Sequence, residues 1–142
     1  MELTTVERGV IAELSIQRLL ISKGYNCFAP IADVNQVDLL VEIDEGVFSR
    51  VQIKGIFHDN RNETSCSVNL RKHSANKIDV IGVYYENNGN SIIAFLPYFG
   101  EDNFMLAVSN AKNNQTEGRK WIYAYSEFPE FLANKKKYKD GK

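Results

Sequence analysis

The chain is poor in the residues that staple or anchor a small protein. It has two cysteines, Cys27 and Cys66, far apart and outside any CxxC pair, so it carries no disulfide framework. Its two histidines, His58 and His73, do not join them at any familiar zinc spacing. Three prolines and nine glycines are scattered, with no Pro/Gly/Ser-rich linker and no internal repeat. Apolar runs stop at four to six residues, too short for a bilayer span. The opening MELTTVERG is polar and unlike a signal peptide, which leads to the expectation of a non-secreted, intracellular protein. Charge of one sign is lacking too. The net charge of -1 argues neither for nor against a polyanionic partner. Its distribution is uneven, because residues 134–142 hold five lysines and one aspartate while the rest is acidic. Such a tail can touch phosphate or simply solubilise the end.

What remains is an ordinary globular composition: 142 residues, 44% hydrophobic and 25% charged. That suits one domain over residues 1–142, with a short basic tail at 134–142. Thr4 and Glu7 form a T-x-x-E capping box before an apolar-periodic segment, so a helix is expected to Lys23, stopped by Gly24. At 100° per residue its apolar face reads as Val6, Gly9, Val10, Ile16 and Leu20, with Glu13 in the middle. Strands are expected at Tyr25–Pro30, Val37–Ile43, Val47–Lys54, Cys66–Leu70 (an edge), Val80–Tyr85 and Ile92–Leu96, with weaker ones at Phe104–Val108 and Trp121–Tyr125. Phe128–Lys137 reads as a short final helix. The whole is an α/β domain on a mixed or antiparallel sheet.

Two features do not fit a purely structural reading. A carboxylate on the apolar face, Glu13, calls for a cation or ends at a solvated rim. Across the three-residue turn Asp44–Gly46, with Ile43 opposite Val47, paired positions sum to 90. Asp38 then faces Gln52, with Lys54 one step along the same side. An aspartate, an amide oxygen and a lysine on one patch suit metal-assisted hydrolysis. Asp38, Gln52, the Ile53 carbonyl and Glu13 are candidate ligands for a hard cation such as Mg2+. Lys54 is placed to handle a water proton or to balance charge. The same residues also fit a solvated strand face with a salt bridge.

The helical glutamate, the aspartate in V-D-L-L-V, the hairpin and V-Q-I-K together resemble the PD-(D/E)xK nuclease superfamily. The N-terminal Ala-Glu on the first helix is similar to archaeal Holliday-junction resolvases. The resemblance covers residues 7–55. It implies a restriction-endonuclease-like core, a central mixed sheet flanked by helices, and a catalytic set of Glu13, Asp38, Gln52 and Lys54. Val37 stands where the family has proline, and Gln52 where it has an acid. Glutamine there is similar to the group I intron-encoded homing endonucleases of this superfamily. That branch implies a magnesium-dependent, site-specific double-strand cut in DNA by an oligomer, in a DNA-containing compartment. A junction-resolving nuclease on the same scaffold, or an inactive DNA-binding module marked by Gln52, are the other readings.

One small chain with one site must pair with copies of itself, as a dimer or tetramer, to cut both strands. Candidate DNA contacts fall in polar segments: Arg61 in the first, Asn69, Arg71, Lys72, His73 and Lys77 in the second, and Arg119 and Lys120 in the third. Arginine and asparagine suit base edges, and lysine suits phosphate. The run Leu96–Pro97–Tyr98–Phe99 reads as a candidate interface edge.

Overall fold

The computed structural model describes residues 2–32, 36–109 and 120–130. Helix α1 (Thr5–Ser22) starts on the expected capping box, in which Thr4 N–H donates to Glu7 Oε1 at 2.8 Å and Glu7 N–H donates to Thr4 Oγ1 at 3.1 Å. It ends at Gly24, whose φ of +94° allows Tyr25 N–H to reach Leu20 O at 3.1 Å and Gly24 N–H to reach Ile21 O at 3.0 Å. That pair of bonds is a Schellman stop, which satisfies carbonyls a helix end leaves open.

Seven strands form most of the rest: β1 (Asn26–Phe28), β2 (Leu39–Asp44), β3 (Val47–His58), β4 (Ser65–Asn69), β5 (Val80–Asn87), β6 (Asn90–Pro97) and β7 (Asn103–Ala107). A two-residue strand, β8 (Lys120–Trp121), follows. Five of them make one mixed sheet in the order β1-β2-β3-β5-β6, with β3 and β5 parallel. A second sheet has the order β4-β7-β8. The expected edge strand β4 is an edge, but of this second sheet. Trp121–Tyr125 is not a strand as expected, because β8 ends at Trp121 and Ile122–Tyr125 turn into a 3-10 helix. Of the final helix expected over Phe128–Lys137, Phe128 and Pro129 are not helical, and the part beyond Glu130 lies outside the described residues, as does the basic tail.

The five-stranded sheet is the middle layer. Its odd-numbered positions on β3 face α1, and its even-numbered positions face the other way. Under α1, Leu39, Val41, Val51, Ile53 and Val80 pack with Ala12, Ile16 and Leu20. On the reverse, Ile81, Val83, Ala94 and Leu96 pack against Cys66, Val68, Phe104 and Leu106 of the second sheet. β5 is therefore apolar on both sides, and all of Val80–Tyr85 is buried. Tyr98 and Leu96 are fully buried, so that run is core and not the interface edge its composition suggests.

Helix α1 is turned relative to the sequence expectation. The buried stripe is Ala12, Ile16 and Leu20, while Val6 and Val10 are 76% and 47% exposed. Two glycines set this orientation. A Cβ on Gly55 would lie 3.0 Å from Ala12 Cβ, and one on Gly82 would lie 3.3 Å from Ile16 Cδ1. The helix lies down where the sheet has no side chains to hold it off.

Candidate active site at the open edge of β3

The hairpin register decides which side chains meet. Leu39 pairs with Val51, Leu40 with Arg50, Val41 with Ser49 and Glu42 with Phe48, the expected register through the strand. Nearer the turn it slips. Asp44 pairs with Val47, so Ile43 does not face Val47 and the link is Glu45–Gly46, with Gly46 at φ +72°. The slip lies on the turn side of Glu42, and Asp38 stands one step before the first regular pair, bonded to Val51 O and Ile53 N–H on either side of Gln52.

Pairing of β2 begins at Leu39, whereas β3 runs on to His58 beside β5. Among the described residues, no strand covers the other edge of β3 beyond Val51. N–H and C=O of one strand residue point the same way, so those of Ile53 face this open edge. Asp38 occupies the gap: its N–H donates to Val51 O at 2.9 Å and its Oδ2 accepts from Ile53 N–H at 2.8 Å. Gln52 hangs its amide beside the Ile53 carbonyl, Nε2 at 3.5 Å. Its Oε1 is buried without a hydrogen-bond partner among the described residues. Buried oxygen acceptors are normally satisfied. An unsatisfied amide oxygen beside a carboxylate and an edge carbonyl is a donor set that fits a hard divalent cation. Asp38, Gln52 and Ile53 would hold it.

Lys54 follows on the same face, half-buried. Burial lowers its ammonium from the ordinary lysine value, Asp38 opposes that, and Lys72 adds to it. Lys72 and His73 are brought here by Arg50, which stands two positions before Gln52. The Arg50 guanidinium grips Asp79 through Nε–Oδ2 and Nη2–Oδ1, both at 2.9 Å, and donates to Asn76 O at 2.6 Å. The segment between β4 and β5 is thereby tied over the sheet. His73 is lowered by burial and then by Lys54, and its Nδ1 is another buried atom without a partner among the described residues. Gln36 completes the rim. It adopts φ +65°, rare for a side chain of this size, and donates from Nε2 to Lys72 O at 2.7 Å, while its Oε1 has no partner among the described residues. Gln36 was not among the sequence candidates. Its backbone conformation, which marks it, has no signature in the residue type.

Glu13 is half-buried on the flank of α1, not in the middle of a buried face. Ser15 reaches the Tyr84 hydroxyl on β5. Glu13 lies on the opposite flank of the buried stripe at 100° per residue, which turns it toward the open edge of β3. Among the described residues no three His, Cys, Asp or Glu side chains gather as a metal-holding group. The acid of the site is Asp38, and Gln52 adds an amide oxygen beside it.

The structure divides the remaining sequence candidates. Lys72 and His73 join the site. Arg71, Asn69 and Lys77 share their segment, with Asn69 Oδ1 accepting from Arg71 N–H at 3.1 Å. Arg61 does not come here. It lies past the far end of β3, lining a cleft with Glu63, Tyr85, Asn87 and Tyr123. Lys120 stands over the rings of Phe104 and Tyr125 on the second sheet, at 5.8 and 5.7 Å. Arg119 lies outside the described residues. No described helix is long and apolar enough to cross a membrane.

The chain resembles a solved bacterial homing endonuclease, I-Ssp6803I, with a TM-score of 0.65 and 16% identity over 96% of this chain and 98% of that one. A weaker likeness is to the Holliday junction resolvase Hjc of Archaeoglobus fulgidus, TM-score 0.38 and 10% identity over 78% of this chain and 97% of that one. No curated protein matches. A family profile described as PD-(D/E)XK endonuclease matches residues 3–128, and the chain belongs to that family.

Proposed function

We propose that this protein is a magnesium-dependent, site-specific DNA endonuclease of the homing kind, cutting both strands by phosphodiester hydrolysis as a dimer or tetramer. It would act in an intracellular compartment that holds DNA. The observation that carries the reading is the meeting of Asp38, the unsatisfied Gln52 oxygen, the Ile53 carbonyl and Lys54 at one open strand edge. The chemistry that magnesium supplies when bound is polarisation of the scissile phosphate and a more acidic water. Asp38 and Gln52 bind, with Glu13 closing from α1. Lys54 sets its ammonium against the charge that grows on the phosphate, and its lowered affinity for a proton suits handling one from the attacking water. Lys72, His73, Arg71, Lys77 and Asn69 supply phosphate and base contacts beside the cut.

The test is cleavage of a randomised duplex library with magnesium, wild type beside Asp38→Asn and Lys54→Met. The side-chain amide introduced by Asp38→Asn can still accept from Ile53 N–H, so the effect of that variant reports charge and not lost structure. Discrete products from wild type, reduced by about 10²–10³-fold in Lys54→Met, are expected. Products from a four-way junction regardless of sequence would replace homing with junction resolution. A second reading, a DNA binder without catalysis, is favoured by one observation: among the described residues no three acidic or histidine side chains gather as a metal-holding group. It predicts duplex binding that is indifferent to magnesium and no products from any form.

A further inference from the structure

Helix α1 has a second apolar stripe, on the side away from the sheet. Val10, Leu14 and Ile21 are 47%, 59% and 60% exposed, and Leu3, just before the cap, is 38% exposed. At 100° per residue the three helical positions lie within about 40° of one another, roughly opposite Ala12, Ile16 and Leu20. No described element covers them.

The stripe is symmetric along its length. Val10 and Leu14 are equally far from the level of Ala12, and Leu3 and Ile21 lie toward the two ends of the stripe. A two-fold axis at that level, perpendicular to the helix, sets Val10 of one copy against Leu14 of the other, and brings the Leu3 end of one stripe to the Ile21 end of the other. The charges obey the same symmetry. Glu7 and Arg18 border the stripe on one flank, five and six residues either side of the centre. A two-fold of this kind keeps that flank on the same side, so Glu7 of each copy comes to within about 1.5 Å of the level of Arg18 of the other. A patch whose apolar and charged parts both match themselves under rotation is what an isologous contact requires. We propose that the outer face of α1 is a docking surface for the α1 of a second copy of this chain, antiparallel across a two-fold axis.

This locates the self-association that the nuclease reading calls for. It is read by mass, so it can fail while cleavage stands, and the reverse. Sedimentation of the full chain from about 5 to about 100 µM tests it. Wild type is expected to associate, and Leu14→Glu to halve the mass at every concentration with unchanged circular dichroism and unfolding midpoint. Arg18→Glu, which sets two carboxylates face to face, should weaken association about tenfold. A wild-type monomer at the highest concentration would overturn the proposal. So would an oligomer whose mass Leu14→Glu leaves unchanged, or one that Arg18→Glu does not weaken.

Discussion

The two halves of the five-stranded sheet meet different surroundings. β5 and the inner part of β6 are sealed on both faces, by α1 on one side and the second sheet on the other. β2 and the first half of β3 are sealed only under α1. Their other face carries Leu40, Phe48, Arg50, Gln52 and Lys54, none fully buried, and Phe28 meets Phe48 there edge to face, with ring centroids 5.8 Å apart. The sealed half has no ionisable group within Val80–Val83. The half-covered one holds the acid, the amide and the lysine at the margin of the second sheet, where water is scarce but not absent. A lysine in mid-sheet would lose its charge or the fold. On an open face it would behave as any surface lysine. At the margin it keeps a lowered pKa and access to a polymer substrate.

Four substitutions probe that contrast, from the largest expected effect down. Phe95→Ala, in the sealed half at 1% exposure, should cost about 3–5 kcal/mol in chemical denaturation. A loss of under about 1 kcal/mol would mean that this half is not close-packed. Gly55→Ala sits at the junction of the two halves. With Ala12 Cβ at 3.0 Å and Phe57 Cε1 at 3.2 Å, it should lift α1 and cost about 1–3 kcal/mol. It should also lower cleavage, because Glu13 rides on the helix that moves. Gln52→Glu puts a carboxylate where the amide stands. Calorimetry should show magnesium bound about tenfold more tightly, with the apo protein less stable because a carboxylate is then half-buried beside a carbonyl. Unchanged affinity would remove Gln52 from the ligand set. Phe48→Ser, on the half-covered face at 44% exposure, should shift stability by less than about 0.5 kcal/mol.

The elements were legible in the sequence where chemistry is local. The capping box, Gly24 and the alternation Asp38–Leu40–Glu42 each name a geometry within a few residues. The hairpin register was legible for the same reason, apart from the slip at Ile43, which no residue type announces. The face of α1 was misread because the helix is apolar on two sides, and periodicity alone cannot tell a stripe that meets the sheet from one that meets solvent. Gly55 and Gly82 decide it, from positions far along the chain. The candidate set Asp38, Gln52 and Lys54 was legible as a pattern. Its environment was not, because Arg50, Asp79 and Gln36 bring the segment of Lys72 and His73 over it through contacts spanning up to 36 residues. Arg61 stands apart from the candidate site, a placement the sequence could not give because a polar loop has no direction of its own.

The bond from Ile53 N–H to Asp38 has a consequence for how the protein keeps to itself in solution. An open strand edge is a template on which another chain can add a strand, and proteins blunt such edges with charge. Asp38 fills the first free donor of the β3 edge with a carboxylate, so an incoming strand would have to displace it and bury its charge. The residue proposed to bind the metal is thus also a guard against unwanted strand pairing. Asp38→Ala should aggregate on storage where Asp38→Asn does not, and a loss of cutting in the alanine variant alone would report insolubility as much as chemistry.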